Sequence, residues 1–415
     1  MVFVDKKYEP DPRNDFVFEF RLKPKNMRLI EAAERIAEET SMRFWDAANE
    51  EFPKESVKLK PRVCDEDDNE SKIWISYPRE MFGHNNIADL ISLYRRISSL
   101  GFLRKVKLLD LHVPERSSER FYGPRYGVDG LRKILKNKGP CLSVPLERSY
   151  SLTPSSQAKL AFELWMSGID IVREDVCFSE VSTNPFFERV EKTMRMLLRA
   201  EKETGRKKIF VPNITSETSE MVTRADQVKS MEGDCVMLDL ASAGPSALAS
   251  LRKHSHVMIM SGSLFSAMEI YDDEDGISPL AAAKLTRLSG IDILDMGDIA
   301  ISDAISGLGG MRYSIRPEEA SSLSYALRSQ KKGVKQVFPM VSGNNFPGTL
   351  PPIISRMGED VIVDFDEACY SHPDGFSSGA VSIYQAREAL DKKINLDAYS
   401  KRRKELAKSL AKWRD

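Results

Sequence analysis

The stretch Gly168-Ile169-Asp170-Ile171-Val172-Arg173-Glu174-Asp175-Val176 carries a short apolar run into three consecutive charged side chains. Side chains alternate along a strand, so Ile169, Ile171, Arg173 and Asp175 share one face, and Arg173 and Asp175 are expected together at its end. A guanidinium stays protonated and cannot act as an oxygen ligand. Magnesium wants octahedral oxygen ligation, and Glu174 and Asp175 are the oxygen donors at hand beside that cation. Other apolar runs also lead into carboxylates. Glu147 follows 142–146, Asp295 and Asp298 close 291–296, and Asp366 and Glu367 follow 361–365. A carboxylate so placed can take a carbon-bound proton, whereas Asp366 and Glu367 read either as acids facing a ligand or as a surface loop with no ligand at all.

The elements that position these residues are legible from hydrophobic periodicity. Apolar runs at 142–146, 169–172, 209–212, 235–240, 256–260, 291–296, 337–341 and 361–365 read as strands. Helical stripes fill the gaps at 157–165, 187–202, 246–252, 280–288, 317–328, 348–357 and 379–390. This α/β alternation is the pattern of a (β/α)8 TIM barrel, whose chemistry collects at the C-terminal strand ends. Before it, strands at 16–22, 72–78 and 103–113 and helices at 27–38 and 87–100 describe a compact α+β domain. The acidic run 64–71 reads as a hairpin connection, 114–127 as a linker, and the basic 395–415 as one amphipathic helix packed on the barrel. The expected domains are 1–125, 126–394 and 395–415.

The 61 basic and 62 acidic residues of the 415 give a formal net charge of −1, so no field of one sign draws the chain to nucleic acid or an anionic membrane. No apolar run approaches the ~18 residues of a membrane span, and the first residues turn charged too early for a secretory signal, so a cytoplasmic protein is expected. Five scattered cysteines without a C-x-x-C pair read as reduced thiols. The His254-Ser255-His256 pair reads as a strand entry with no metal site.

Several segments narrow the barrel to a family. Phe121-Tyr122-Gly123-Pro124-Arg125-Tyr126-Gly127 resembles F-x-G-P-x-x-G of the RuBisCO large-chain family. Ala200-Glu201-Lys202-Glu203-Thr204-Gly205, Asn213-Ile214-Thr215 and Glu220-Met221 resemble its A-x-x-E-T-G, N-x-T and E-M. Ala283 to Asp292 is similar to A-K-x-x-R-L-S-G-x-D, and Ser371 to Val381 to G-H-P-x-G-x-x-x-G-A-V with Ser371 for the first glycine. The matches keep family order over nearly the whole chain. The resemblance implies a ferredoxin-like N-terminal domain, a barrel, and a homodimer in which each N-terminal domain caps the partner's barrel mouth.

The same resemblance shows what has changed. The family holds Mg²⁺ with a carbamylated lysine, an aspartate and a glutamate, where this chain has Arg173, Asp175 and Val176. Its K-P-K aligns with Val144-Pro145-Leu146, its His-x-His-Arg with Met258-Ile259-Met260-Ser261, and its phosphate glycines with Asp366-Glu367-Ala368. The loop 299–307 lacks the mobile-loop lysine, with Ser302 near its place, and Arg43 and Phe44 stand where threonine and tryptophan are expected. Glu38, Asn213, Asp239, Ser342-Gly343 and His372 survive; strand-end capping for Asn213 and Asp239, and a structural His-Pro turn for His372, are the plainer readings of those three.

The leading expectation is a divergent RuBisCO-like protein, of form IV type, without carboxylase activity. Its pocket is rebuilt around Glu147, Arg173, Asp175, Asp295 and Asp298 for a small ligand that is not a bisphosphate and carries positive charge. Asn213, Asp239, Ser261, Ser342, Asp366, Glu367, His372 and Glu38 complete the candidate contacts, and Arg173 is an internal cation held by Asp175 or Glu147. No cofactor is expected. Two alternatives stand beside it: an Mg²⁺-dependent enolase or isomerase of methylthio-sugar metabolism with Glu174 and Asp175 as ligands, and a non-enzymatic binding or regulatory dimer. Enzymatic turnover, if present, would be enolisation, isomerisation or carbon–carbon lysis.

Overall fold

The structure, a computed structural model, describes residues 3–41, 56–84, 87–119, 121–146, 152–175, 180–262, 274–299, 315–330 and 333–414. Thirteen strands lie among the described residues: β1 Asp15–Pro24, β2 Arg62–Asp67, β3 Lys72–Pro78, β4 Leu103–His112, β5 Cys141–Pro145, β6 Ile171–Arg173, β7 Ile209–Val211, β8 Cys235–Met237, β9 Met258–Gly262, β10 Gly276–Ile277, β11 Ile293–Asp295, β12 Phe338–Val341 and β13 Ile362–Asp364. They form a five-stranded sheet in the order β10-β4-β1-β3-β2 and an eight-stranded sheet in the order β7-β6-β5-β13-β12-β11-β9-β8.

The first unit comprises Met1–Gly123, Leu264–Gly290 and Gln330–Lys335. In β1, Phe16, Phe18, Phe20 and Leu22 alternate onto one buried face, against which helix Leu29–Glu39 lays Ala32, Ala33 and Ile36. The acidic run expected as a connection is partly strand. In β2, Val63 turns inward and the carboxylates sit on the sheet edge, with Asp67 opposite Lys72 of β3. The helix expected at 280–288 forms as Pro279–Ser289, and the short β10 before it is not among the expected strands. The two residues of β10 pair in parallel with Lys107 and Leu108 of β4, and helix Pro279–Ser289 follows at once, capped by Ser278 Oγ accepting from Ala281 N at 3.1 Å. Arg287 on this helix is buried and donates to the carbonyls of Val334 and Lys335 at 3.1 and 3.0 Å.

The second unit comprises Pro124–Ser263, Ile291–Ser329 and Gln336–Asp415. All eight apolar runs become parallel strands, buried on both faces as such strands require. Closure runs through β7 and β8, where Met237 N donates to Pro212 O at 2.8 Å and Ile214 N to Met237 O at 2.9 Å. Ile171, Val211, Met237, Met260, Phe338 and Ile362 belong to the core that fills the barrel, together with Leu131 and Leu135 of helix Gly127–Leu135. That helix is anchored by Asp292, fully buried, which accepts from Tyr126 N at 2.6 Å, Gly127 N at 3.0 Å and Ile259 N at 3.0 Å and pairs with Arg252. The tail is two helices, Leu396–Ser400 and Lys404–Arg414, in place of the one expected. The break lets Leu406 and Leu410 bury, with Leu406 N donating to Gln385 Oε1 at 3.0 Å. Among the described residues no helix is long and apolar enough to cross a membrane.

Lys208, at the entry to β7, is 3% exposed and donates from Nζ to Ile169 O at 2.6 Å. Burial lowers its pKa to about 8. Between that value and the ordinary lysine value the folded protein has released a proton that the unfolded chain still holds, so stability rises with pH in this window. The gain of wild type over Lys208→Met between pH 8 and 10.5 is expected to be roughly 2–3 kcal/mol in denaturant titrations; a pH-independent difference would contradict the assignment.

Candidate functional site

At the C-terminal end of β6, Arg173 lies in register with Pro145 of β5 and Val211 of β7. Asp364 ends β13 in register with Ser143 on the other side of β5. The guanidinium crosses over β5 and meets the carboxylate as a fork, Nε to Oδ1 at 3.2 Å and Nη2 to Oδ2 at 2.7 Å. The two side chains are 12% and 1% exposed. A two-point contact between planar groups is the strongest geometry such a pair can take. Burial alone would lower the Arg173 pKa, but the Asp364 carboxylate outweighs it and holds the guanidinium above its ordinary range. The expectation that Asp175 or Glu147 holds Arg173 is therefore corrected for its fork, which Asp364 occupies; Glu147 lies outside the described residues, as do Val176 and Ser302.

Asp295, ending β11, completes the interior group. It is half-buried and accepts from Gly297 N at 3.0 Å and from the Ser342 hydroxyl. Burial raises its pKa, with Arg173 opposing. Asp298 packs against Gly343, whose φ of +97° and lack of a side chain permit the approach: a Cβ there would lie 2.7 Å from that of Asp298.

Glu174 points away from this group. It is fully buried and accepts from Arg189 Nε at 2.7 Å, Arg189 Nη2 at 3.1 Å, Gln157 Nε2 at 2.8 Å and Asn213 N at 2.9 Å. Four donors saturate a carboxylate, which corrects the view of Glu174 as an available magnesium ligand. Asn213 in turn donates to Asp175 O at 3.1 Å and accepts from Thr215 N at 2.9 Å. Asp239 caps helix Leu240–Ala243 through Ala241 N at 3.1 Å, and Ser261 Oγ accepts from Leu240 N at 3.1 Å. Asp366 and Glu367 are exposed at the start of helix Glu367–Tyr370. His372 is structural: Nε2 lies 3.0 Å from Glu405 O and Nδ1 accepts from Asp374 N at 3.1 Å, so both ring nitrogens are committed to the tail and its own turn. Glu38 lies exposed on helix Leu29–Glu39 of the first unit. Arg43 and Phe44 lie outside the described residues.

Sequence reading missed Asp364, and it missed Asn345, which is buried and donates to Val341 O at 3.1 Å and Asp364 O at 2.9 Å. The signal for Asp364 was present: a carboxylate inside the apolar run 361–365 must find a partner when buried. Among the described residues of the strand ends, the carboxylates of Asp364, Asp295 and Asp366 act on the one cation there, Arg173.

A family model described as "Ribulose bisphosphate carboxylase large chain, catalytic domain" matches residues 127–413, and one described as "Ribulose bisphosphate carboxylase large chain, N-terminal domain" matches 2–117. The ribulose bisphosphate carboxylase of Methanosarcina mazei is 29% identical over 427 residues, covering 99% of this chain and 98% of its own. Dimeric archaeal Rubisco from Hyperthermus butylicus matches with a TM-score of 0.89 at 30% identity, over 99% of this chain and 98% of that one. Octameric Rubisco from Pyrococcus horikoshii gives 0.89 at 29%, over 99% and 97%.

Removing one member of a buried pair strands the other. Arg173→Met alone is expected to cost about 3–5 kcal/mol in urea denaturation, while Arg173→Met with Asp364→Leu recovers most of that loss; additive losses would show that the pair is not coupled.

Proposed function

The chain belongs to the ribulose bisphosphate carboxylase large-chain family, and from that membership we propose that it is a RuBisCO-like protein, of form IV type, that does not fix carbon dioxide. In this reading the barrel mouth binds a small ligand that is positively charged and is not a bisphosphate. The observation that carries it is the buried fork between Arg173 and Asp364. Carbamate formation needs an amine that can lose its proton and attack carbon dioxide. A guanidinium held above its ordinary pKa by a buried carboxylate does neither.

The residues do not fit the family's magnesium. A divalent ion about 4 Å from Arg173 would be repelled by roughly 8 kcal/mol at an effective dielectric of about 20. Swinging Arg173 aside would instead leave Asp364 buried and unpaired, a cost of several kcal/mol. Glu174 is saturated, and the side chain of Val176 carries no oxygen. The same facts weigh against a magnesium-dependent enolase or isomerase.

What remains suits proton transfer near a fixed cation. Asp295, its pKa raised by burial, can accept or deliver a proton, while Arg173 stabilises negative charge developing beside it. The surrounding carboxylates disfavour a phosphate and favour an ammonium group. The assembly reading is a homodimer or a multiple of dimers, in line with the dimeric and octameric solved relatives.

Calorimetry with putrescine as a cationic probe should show saturable binding that Asp366→Asn/Glu367→Gln weakens about tenfold, and ribulose bisphosphate should give no heat. Radiolabelled bicarbonate should not be incorporated by wild type or by Arg173→Lys. Carboxylation by either protein, or binding of ribulose bisphosphate in preference to putrescine, would overturn the reading.

A further inference from the structure

At the opposite end of the barrel, where the strands begin, lies an open cavity of about 860 Å³. Its walls are the turn 136–140, the end of helix Phe186–Thr204 with residues 205–207, and Tyr384, Arg387 and Asp391 of helix Phe376–Asp391. A volume in the range of roughly 300–1,000 Å³ is that of a metabolite site.

One wall is fixed. Tyr384 packs on Gly168, where a Cβ would lie 2.4 Å from the ring and φ is +104°. The guanidinium groups of Arg387 and Arg206 lie 5.0 and 5.7 Å from the Tyr384 ring centre, and Arg206 donates to its hydroxyl at 3.1 Å.

The cavity is positive after internal pairing. Of its carboxylates, Asp170 is taken by buried Arg387 and by Leu142 N at 2.9 Å, and Glu201 by Lys207 at 2.7 Å and Lys208 N at 3.1 Å. Lys136, Lys138, Lys202 and Arg206 then face a single remaining carboxylate, Asp391. Three helices end here, and each C-terminus acts as about half a negative charge. Together they offset about half of the excess of three positive charges. Along the same helix, Lys192 pairs with Glu188, Arg195 with Glu191 and Arg199 with Glu203, all at 2.7 Å, while Lys136, Lys138 and Lys202 at the cavity have no ion-pair partner among the described residues.

We propose that this cavity is a second binding site, remote from the mouth, for a small polyanion with two or more adjacent phosphate groups held between Lys136, Lys138, Lys202 and Arg206. It rests on residues that play no part in the reading of the mouth, so either can fail alone. Isothermal calorimetry with inorganic tripolyphosphate at constant ionic strength tests it. Wild type should bind one tripolyphosphate per chain; Lys136→Glu and, separately, Lys202→Glu should weaken it by about tenfold or more, and Asp366→Asn should leave it unchanged. Both lysines are exposed, so the variants retain the fold. Absence of saturable binding to wild type, or wild-type affinity in both charge-reversal variants, would overturn the proposal.

Discussion

A guanidinium forked onto a buried carboxylate sets what else the barrel mouth can hold. The pair spans β5, which offers only Ser143 and Pro145 at that level, side chains short enough to leave the crossing open. Once made, it fixes positive charge at the position where the family resemblance places the carbamate lysine. Asp295 is then left as the interior carboxylate whose proton affinity is raised, while Asp366 and Glu367 lie exposed just beyond β13. On the proposed reading, the same arrangement disfavours a metal and a bisphosphate.

The segments that carry the family resemblance turn out to be structural. Asp292, from the run resembling A-K-x-x-R-L-S-G-x-D, gathers Tyr126 N and Gly127 N, from the run resembling F-x-G-P-x-x-G, and pairs with Arg252. Asp170 does the same for Leu142 N and Arg387, and Glu174 for Asn213 N and Arg189. In each case one buried carboxylate neutralises a guanidinium and satisfies a backbone N–H that would otherwise be orphaned.

How much was legible in the sequence follows from how local each determinant is. Eight continuous apolar runs with helical stripes between them specify a parallel barrel without reference to anything distant. A two-residue strand such as β10 has too little periodicity to be seen, and the acidic β2 hides its single inward valine among charges. The tail's break depends on fitting Leu406 and Leu410 to a neighbouring helix. At the site, Arg173 could be named from its position, but its partner could not, because Asp364 lies 191 residues away and becomes adjacent only when β13 closes onto β5. Glu174 is similar on a shorter scale, since the helix carrying Arg189 must fold back before its carboxylate is filled.

The central claim is that the fork excludes the family's metal from the mouth. Crystals grown with Mn²⁺ and bicarbonate, examined by anomalous diffraction, test this most directly. The account predicts no anomalous peak within the barrel mouth and a guanidinium still seated on Asp364. A manganese peak ligated by Asp175 or Glu174, with Arg173 displaced from Asp364, would contradict it.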